Sequence, residues 1–484
     1  MTRYIDNSDL LPKWKPDDEV SLDENTTPDW VSGLIMTAVN PHNISKEGII
    51  KAIIPFLDHL EEMGVNGLWV NPVYDRGRDE NGNLLGNGYG NMGPDTVDPQ
   101  LTGTQDYKEG WLVLKEFVDE AHKRDIRVIL DLISWGAVKQ APIFSEHPEW
   151  TTGKEDWGGY NFDWENEEFR EWYIQQAVNI VLITGCDGLR YDLEPLHAGY
   201  SVDGEIKRRL ADRGRKIFAV GEGQNERKKA YDAEQFSVTG PNGEINRDLF
   251  DFLETNPFLN VYNIVDCIKS GTHIGSYESQ RQGMGSYFRY YTNMLSSHDS
   301  IQYTVRLNPL AIGYQAIFAP FIPLWYAGEE CGEAKQPNEC VLFDHPIDWK
   351  TCLEKPENRA FYEYVKAMIR VRRLNRKIFE FYPEHFYDTN ICKVSTENGN
   401  LQAYARYADD TAILVIPNVD TAEKEITFYI PFNEAGLADF DEYELKDALT
   451  GELLAFGRIS DNSPHKASVF PNNLRVLEVS CKRH

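Results

Sequence analysis

Several residues able to carry out nucleophilic or acid–base chemistry follow short apolar segments of this sequence. They are Asp131 in VILD, Arg190 and Asp192 in GLRYD, Glu222 in VGEG, and His298 and Asp299 in SSHD. Arg190 and Asp192 are two residues apart, so both side chains point to the same face of a strand. Carboxylates that cluster in a poorly solvated place raise one another's pKa, and one then stays protonated while another is ionised. Cleavage of a glycosidic bond requires that combination.

Each acid taken alone has a simpler interpretation as a solvated loop residue. The chain carries 77 Asp and Glu residues among 484, so an acid near any given strand end is unremarkable. The catalytic interpretation therefore depends on whether the surrounding elements bring these residues to one place.

Apolar segments of strand character alternate with amphipathic segments of helical spacing along the first half of the chain. The predicted strands are 32–39, 66–73, 126–133, 186–193 and 216–223, and candidates for three more are 249–253, 290–300 and 316–330. Eight such units predict a (β/α)8 (TIM) barrel, in which the ends of the parallel strands meet at one face. An open doubly wound sheet is the alternative, and it is disfavoured because no glycine-rich phosphate-binding fingerprint follows the first strand.

The sequence pattern divides the chain into three parts. Residues 1–28 are polar and rich in Pro, Asp and Glu, which predicts an N-terminal extension on the surface. Residues 29–383 form the predicted barrel, with a short insertion after strand 3 at about 134–165. Residues 384–484 alternate apolar and polar positions between turn residues, which predicts a C-terminal antiparallel β-sandwich.

Charge and hydropathy argue against several classes of partner. The formal net charge of −28 would repel nucleic acid and anionic membranes, but it does not oppose a neutral ligand. No apolar run reaches transmembrane length, and the N-terminus lacks the apolar core of a signal peptide. The seven cysteines show no CxxC or zinc-finger spacing, which indicates reduced thiols in a cytoplasmic protein.

Four motifs in order, together with the trailing β-rich region, resemble the α-amylase family of retaining glycoside hydrolases. The stretch from VNPVYDRG to VILDL is similar to the family's region from strand 2 to strand 3, and PLWYAGEE also matches. GLRYD, VGEG and SSHD are similar to the family's motifs at strands 4, 5 and 7. Each motif alone is a weak pattern, but the ordered set covers nearly the whole chain. The resemblance implies a catalytic (β/α)8 barrel that acts on α-glucosidic bonds.

The resemblance also implies a role for each of three acids. Asp192 would be the nucleophile that attacks the anomeric carbon. Glu222 would protonate the leaving oxygen and later deprotonate water. Asp299 would bind the ring hydroxyls of the sugar and hold them more strongly at the oxocarbenium-like transition state.

Four further residues would support these acids or bind the substrate. Arg190 would hold the nucleophile ionised and oriented, and Asp131 would brace Arg190. His298 would donate to a hydroxyl of the reacting sugar. Tyr89, in GYGN, would stack on the sugar at the cleaved side. The alternative is that Tyr89 is an ordinary loop tyrosine without a role in binding.

Two stretches depart from the family pattern. The strand-3 motif, normally Asp-x-x-x-Asn-His, is DLISWG here, with Trp135 and Gly136 in the last two places. Trp135 offers no oxygen to a calcium ion, so a structural calcium is in doubt, and no cofactor is expected. Trp135 is instead predicted either to bind substrate by stacking on a sugar face or to fill the core. Pro195 and Leu196 stand where the family often has a Lys-His pair, so the acceptor region is expected to differ.

The insertion is rich in tryptophan and bears on substrate size. Trp135, Trp150, Trp157 and Trp164 would cap a narrow pocket and favour a short oligosaccharide or a disaccharide over a polymer. The predicted function is retaining hydrolysis of α-glucosidic bonds in oligosaccharides or short glucans. A transglycosylase or sugar isomerase remains open, because its first half-reaction is identical. A non-catalytic, amylase-like carbohydrate-binding protein also remains open, although such proteins generally lose one or more of the three acids.

Overall fold

The computed structural model describes residues 28–192, 200–221, 243–246, 290–294, 298, 307–317, 322–333, 347–380, 390–399 and 402–483. The predicted N-terminal extension lies outside these ranges, apart from residue 28. No helix within the described ranges has both the length and the apolar character that crossing a bilayer requires.

Eight parallel strands close into a barrel. The strands of this part of the chain are β1 Met36–Val39, β2 Gly67–Val70, β3 Arg127–Ile133, β4 Gly136–Val138, β5 Thr151–Asp156, β6 Gly159–Phe162, β7 Gly188–Asp192, β8 Phe218–Gly221, β9 Gly243–Asn246, β10 Tyr290–Met294 and β11 Ile322–Tyr326. The barrel order is β1-β2-β3-β7-β8-β9-β10-β11, and β11 pairs again with β1. This closure excludes the open doubly wound sheet. It also brings the carboxyl ends of the strands to one mouth.

Helices accompany the barrel strands wherever the intervening residues are described. They are α1 Ile54–Met63, α2 Pro99–Thr102, α3 Tyr107–His122, α4 Pro142–Glu146, α5 Glu167–Thr184, α6 Tyr200–Ala211, α7 Pro309–Ile317, α8 Trp349–Cys352, α9 Pro356–Leu374 and α10 Arg376–Phe379. Asp106 begins α3 by accepting hydrogen bonds from two backbone N–H groups, and Gly64 ends α1 with a left-handed φ of 90°. Most residues between β8 and β10 lie outside the described ranges, so the full set of eight barrel helices stays a prediction.

Two of the last three barrel strands differ in extent from the predicted segments. The sixth is β9, which precedes the predicted segment 249–253, and that segment lies outside the described residues. The sequence of β9 is GEIN, with one large apolar residue, so it lacks the apolar run on which the prediction relied. β10 is described over Tyr290–Met294, and the residues of the predicted segment that follow it lie outside the described ranges apart from His298. β11 is shorter than the predicted segment 316–330, because α7 includes residues 316 and 317 and the strand ends at Tyr326.

The insertion after β3 forms a small antiparallel sheet of order β4-β6-β5. Trp150 and Trp164 both contact Phe169 of α5, with ring centroids 5.6 and 5.0 Å apart respectively. Trp135, Trp150 and Trp164 are buried, whereas Trp157 is exposed. The prediction that all four tryptophans cap a pocket is therefore wrong for three of them, which pack into the interior.

The chain after α10 folds as two antiparallel sheets around a second core. Its strands are β12 Ile391–Val394, β13 Thr396–Glu397, β14 Ala403–Ala408, β15 Thr411–Asn418, β16 Lys424–Phe428, β17 Glu442–Asp447, β18 Leu453–Arg458, β19 His465–Val469 and β20 Asn473–Lys482. One sheet has the order β12-β14-β15-β20-β17-β18 and the other β13-β16-β19. Leu414 from the first and Ile426 from the second belong to one buried cluster. The predicted boundary at 383/384 falls outside the described residues and stays a prediction.

Candidate active site

Arg190 joins two aspartates in the carboxyl-terminal halves of neighbouring barrel strands. β3 and β7 pair in parallel, with Asp131 opposite Arg190 and Ile133 opposite Asp192. The Arg190 Nη1 donates to Asp131 Oδ1 and to Asp192 Oδ1, both at 2.9 Å. The side chains of Arg190 and Asp131 are 2% and 0% exposed, and that of Asp192 is 11% exposed. Of the two carboxylates, Asp192 is therefore the one accessible from the barrel mouth.

Asp131 has hydrogen-bond donors on both of its carboxylate oxygens. Oδ1 accepts from Arg190, and Oδ2 accepts from the Trp69 indole at 2.9 Å and the Tyr89 hydroxyl at 3.1 Å. Burial raises the pKa of the Asp131 carboxyl above its ordinary value, and the charge of Arg190 and these three donors oppose the rise. A carboxylate so fully engaged is suited to hold Arg190 in place and poorly suited to attack a substrate.

Aromatic rings enclose the arginine from two sides. The guanidinium carbon of Arg190 lies 4.9 Å from the ring centre of Trp69 and 5.7 Å from that of Tyr89, distances typical of cation–π contacts. His298 stacks on Tyr89, with centroids 4.8 Å apart and planes at 11°. His298 is 2% exposed and also meets the edge of Trp69 at 5.7 Å. The structure thus brings together five of the predicted site residues, Tyr89, Asp131, Arg190, Asp192 and His298.

Two predicted catalytic acids, Glu222 and Asp299, lie outside the described residues. Their sequence neighbours are described. Gly221, which precedes Glu222, ends β8 and pairs with Tyr191 of β7. His298, which precedes Asp299, belongs to the cluster around Arg190. The predicted roles of both acids stay predictions.

A family model matches the first part of the barrel and the part of this cluster that it carries. The model described as the α-amylase catalytic domain matches residues 24–180, which include β1 to β6 and Asp131. This match, together with the relatives and solved structures below, supports the α-amylase family for the chain. The relatives and solved structures extend the similarity beyond the matched residues.

Named relatives support the family along most of the chain. A cyclomaltodextrinase of a Bacillus species is 22% identical over 78% of this chain and 66% of its own length. Neopullulanase 2 of Thermoactinomyces vulgaris is 23% identical over 85% of this chain and 68% of its own length. The chain thus spans about two thirds of each relative. Their agreement with the family model confirms the predicted class of enzyme, an α-amylase-family glycosidase.

Solved structures support the fold over most of the chain. A noncanonic maltogenic α-amylase, AmyB of Thermotoga neapolitana, superimposes with a TM-score of 0.67 at 18% identity. That match covers 93% of this chain and 99% of AmyB. A Geobacillus thermoleovorans α-amylase, whose structure contains acarbose, gives a TM-score of 0.66 at 19% identity, with 93% of this chain and 99% of that chain covered. At this level of identity the agreement concerns the fold alone.

Trp135 marks where this chain leaves the family's strand-3 motif. It is 2% exposed, and its indole Nε1 donates to the Tyr89 carbonyl oxygen at 3.0 Å. The position presents a donor where calcium would need an oxygen, so it does not fit that ion. Burial favours the core-filling alternative over direct stacking on a sugar. Through its hydrogen bond Trp135 supports the loop that carries Tyr89.

Sequence reasoning missed Trp69, which donates to Asp131 and packs against both Arg190 and His298. Trp69 lies in the middle of the second predicted strand, 66–73, where a large aromatic residue is equally consistent with an ordinary core position. Its role is shown only by the structure, in which its indole N–H donates to Asp131 Oδ2.

Proposed function

We propose that this chain hydrolyses α-glucosidic bonds in oligosaccharides or short glucans with retention of anomeric configuration. The observation that carries the proposal is that Arg190 donates both to the buried Asp131 of β3 and to the partly accessible Asp192 at the end of β7. The names of the two relatives, cyclomaltodextrinase and neopullulanase, support an α-glucan substrate. The predicted partner is therefore a carbohydrate, and the cytoplasmic location stays a prediction.

In the first half-reaction, a carboxylate oxygen of Asp192 attacks the anomeric carbon as the glycosidic C–O bond breaks. Glu222, protonated at the start, transfers its proton to the departing oxygen, so the leaving sugar departs as a neutral alcohol. Arg190 keeps Asp192 in its anionic, nucleophilic form and limits its rotation. The product of this step is a covalent glycosyl-enzyme.

In the second half-reaction, Glu222 is a carboxylate and removes a proton from water, whose oxygen attacks the anomeric carbon as the bond from that carbon to Asp192 breaks. Asp192 is released as a carboxylate, and the two inversions give net retention. Asp299 and His298 are assigned to the hydroxyls of the reacting sugar, whose hydrogen bonds strengthen as positive charge develops on the ring. Tyr89 holds His298 in position through its parallel ring.

The experiment that tests this proposal follows the anomeric product by NMR during hydrolysis of an α-linked maltooligosaccharide. Retention is expected, and the α-anomer should appear before mutarotation. A mechanism-based cyclitol epoxide should label Asp192, as peptide mapping would show. Release of the β-anomer first would assign an inverting route. A crystallographic separation of about 9 Å between the Asp192 and Glu222 carboxyls, instead of about 5–6 Å, would assign the same route.

Transfer to a sugar instead of water shares the first half-reaction. The departure at Pro195 and Leu196 from the usual Lys-His pair concerns the acceptor side, where the two outcomes separate. Product analysis with an added acceptor sugar distinguishes them. Longer oligosaccharides or isomerised disaccharides would assign transfer or isomerisation, and glucose or maltose alone would assign hydrolysis.

A further inference from the structure

The hairpin between β5 and β6 turns through a tryptophan in an unfavourable conformation. Asp156 pairs with Gly159, so the turn consists of Trp157 and Gly158. Their φ angles are +45° and +82°. Positive φ at both central positions is the geometry of a type I′ turn, which favours Asn, Asp or Gly at the first position. A bulky residue there is strained.

Burial does not compensate for this strain. Trp157 is 67% exposed, whereas Trp135, Trp150 and Trp164 are 2%, 2% and 9% exposed. A large aromatic ring that is both exposed and held in a disfavoured backbone conformation gains little from the hydrophobic effect. Strain of this kind is typical of positions that contact a ligand.

A continuous line of contacts leads from the exposed ring to the candidate active site. The rings of Trp157 and Trp135 meet edge to face, with centroids 5.3 Å apart and planes at 76°. Trp135 donates its indole N–H to the Tyr89 carbonyl oxygen at 3.0 Å. The Tyr89 hydroxyl donates to Asp131, and its ring stacks on His298. Trp157 is therefore connected through Trp135 and Tyr89 to the aspartates, and it belongs to the insertion that follows β3, the barrel strand that carries Asp131.

Close backbone packing fixes the hairpin in this place. A Cβ atom at Gly159 would lie 2.7 Å from Cη2 of Trp135 and 2.1 Å from the Ala137 carbonyl oxygen. A Cβ atom at Gly136 would lie 2.0 Å from the Tyr160 carbonyl oxygen. The sheet can close over the Trp135 ring only because these two positions lack side chains. The Trp157 ring is consequently presented by a rigid support, which lowers the entropy lost when it binds a ligand.

We propose that Trp157 is a stacking platform for a glucose unit of an α-linked oligosaccharide whose reacting end lies at Asp192. The inference rests on the proposed function and names a substrate class for it, oligosaccharides long enough to reach both points. Sugar rings present apolar C–H faces that pack on exposed aromatic rings. The ligand is neutral, so the net charge of −28 does not oppose it. A disaccharide bound at Asp192 gains less from the platform than a longer chain.

The test compares Trp157→Asn and Trp157→Phe in the full chain. Asparagine suits the turn and removes the ring, so folding is retained. Phenylalanine restores an aromatic face. The measured quantity is kcat/KM for maltohexaose divided by kcat/KM for maltose. This ratio should fall about 3- to 10-fold in Trp157→Asn and recover largely in Trp157→Phe.

Phe456→Asn is the matched control, because Phe456 is 79% exposed on the C-terminal sandwich. It should leave the ratio unchanged.

Two results would overturn the proposal that Trp157 stacks on a glucose unit. One is an unchanged ratio in Trp157→Asn. The other is a change of oligomeric state in light scattering, which would assign the ring to a subunit contact. Calorimetric titration with maltohexaose separates this inference from the proposed function. If the wild-type chain shows no hydrolysis, the proposed function fails. Weaker binding by Trp157→Asn then still supports the platform, and equal binding rejects it.

Discussion

The rings of Tyr89 and His298 lie parallel, 4.8 Å apart and at 11° to each other. They come from distant parts of the chain, a loop after β2 and the segment after β10. The Tyr89 hydroxyl also donates to Asp131 at 3.1 Å, so one side chain orients a histidine and stabilises the aspartate that braces Arg190. Tyr89 therefore couples two parts of the candidate site, which gives its hydroxyl and its ring separable effects.

Replacing Tyr89 should separate these effects. Tyr89→Phe keeps the stack and removes the donor to Asp131, so kcat/KM for a maltooligosaccharide should fall about 3- to 10-fold. Tyr89→Ala removes both and should lower kcat/KM by about 100-fold. Circular dichroism checks that both variants are folded. Equal activities for the Phe and Ala variants would show that the ring does not orient His298.

Asp192→Asn should abolish turnover without unfolding the protein. Asparagine keeps the shape of the side chain but cannot form the glycosyl-enzyme, so kcat should fall by at least about 10³-fold. Arg190 keeps its ion pair with Asp131, and the amide oxygen of asparagine can still accept from Arg190, so the free energy of unfolding should change by only about 1 kcal/mol. Steady-state rates and urea unfolding measure the two quantities. Full activity in this variant would reject the assignment of the nucleophile.

Asp131→Asn should lower stability as well as activity, in contrast to Asp192→Asn. It leaves the buried Arg190 guanidinium with one fewer carboxylate and places an amide donor among three existing donors. Removing one partner of a buried ion pair costs about 3 kcal/mol or more, so the urea midpoint should drop well below that of Asp192→Asn. Both variants should lose activity. A midpoint equal to that of Asp192→Asn would mean that Asp131 does not brace the site.

The meeting of Asp131, Arg190 and Asp192 could be predicted from the sequence. Apolar runs set the strands, and parallel strands of a barrel end at one mouth, so strand-end residues converge whatever the details of the loops. The contacts of Trp69 and Tyr89 could not be predicted in this way. They depend on the side-chain packing of β2 against β3 and on the path of a long loop, which leave no periodic signal.

Three local features of the structure also depart from what the sequence predicts. β9 forms from GEIN, because its neighbours β8 and β10 supply paired backbone on both sides and the strand needs no long apolar run of its own. The insertion tryptophans were expected at a pocket, but burial of indole area favours packing against α5 for Trp150 and Trp164. Trp157 violates the preferences of its turn, and such violations appear only once dihedral angles are known.

Acid stability should depend on Asp98, which begins α2 near the loop that carries Arg76. One carboxylate oxygen accepts from Arg76 Nε at 2.6 Å and faces His42 Nε2 at 3.1 Å, and the other accepts from the Gln100 backbone N–H. Burial alone would raise the pKa of Asp98, but the hydrogen bonds and charges of His42 and Arg76 outweigh it and lower that pKa to about 2. The ion pair therefore favours the folded state whenever Asp98 is ionised.

Because the folded pKa of Asp98 lies below its ordinary value of 3.8, the stabilisation is complete above about pH 4 and is lost as the pH falls toward 2. The difference corresponds to about 2 kcal/mol at pH 7. Asp98→Asn retains an acceptor for Gln100 and lacks the ionised form, so it should be less stable by about that amount at pH 7. Its stability should also fall less steeply between pH 4 and 2. Urea unfolding at several pH values measures both, and parallel pH profiles for the two proteins would contradict the role given to Asp98.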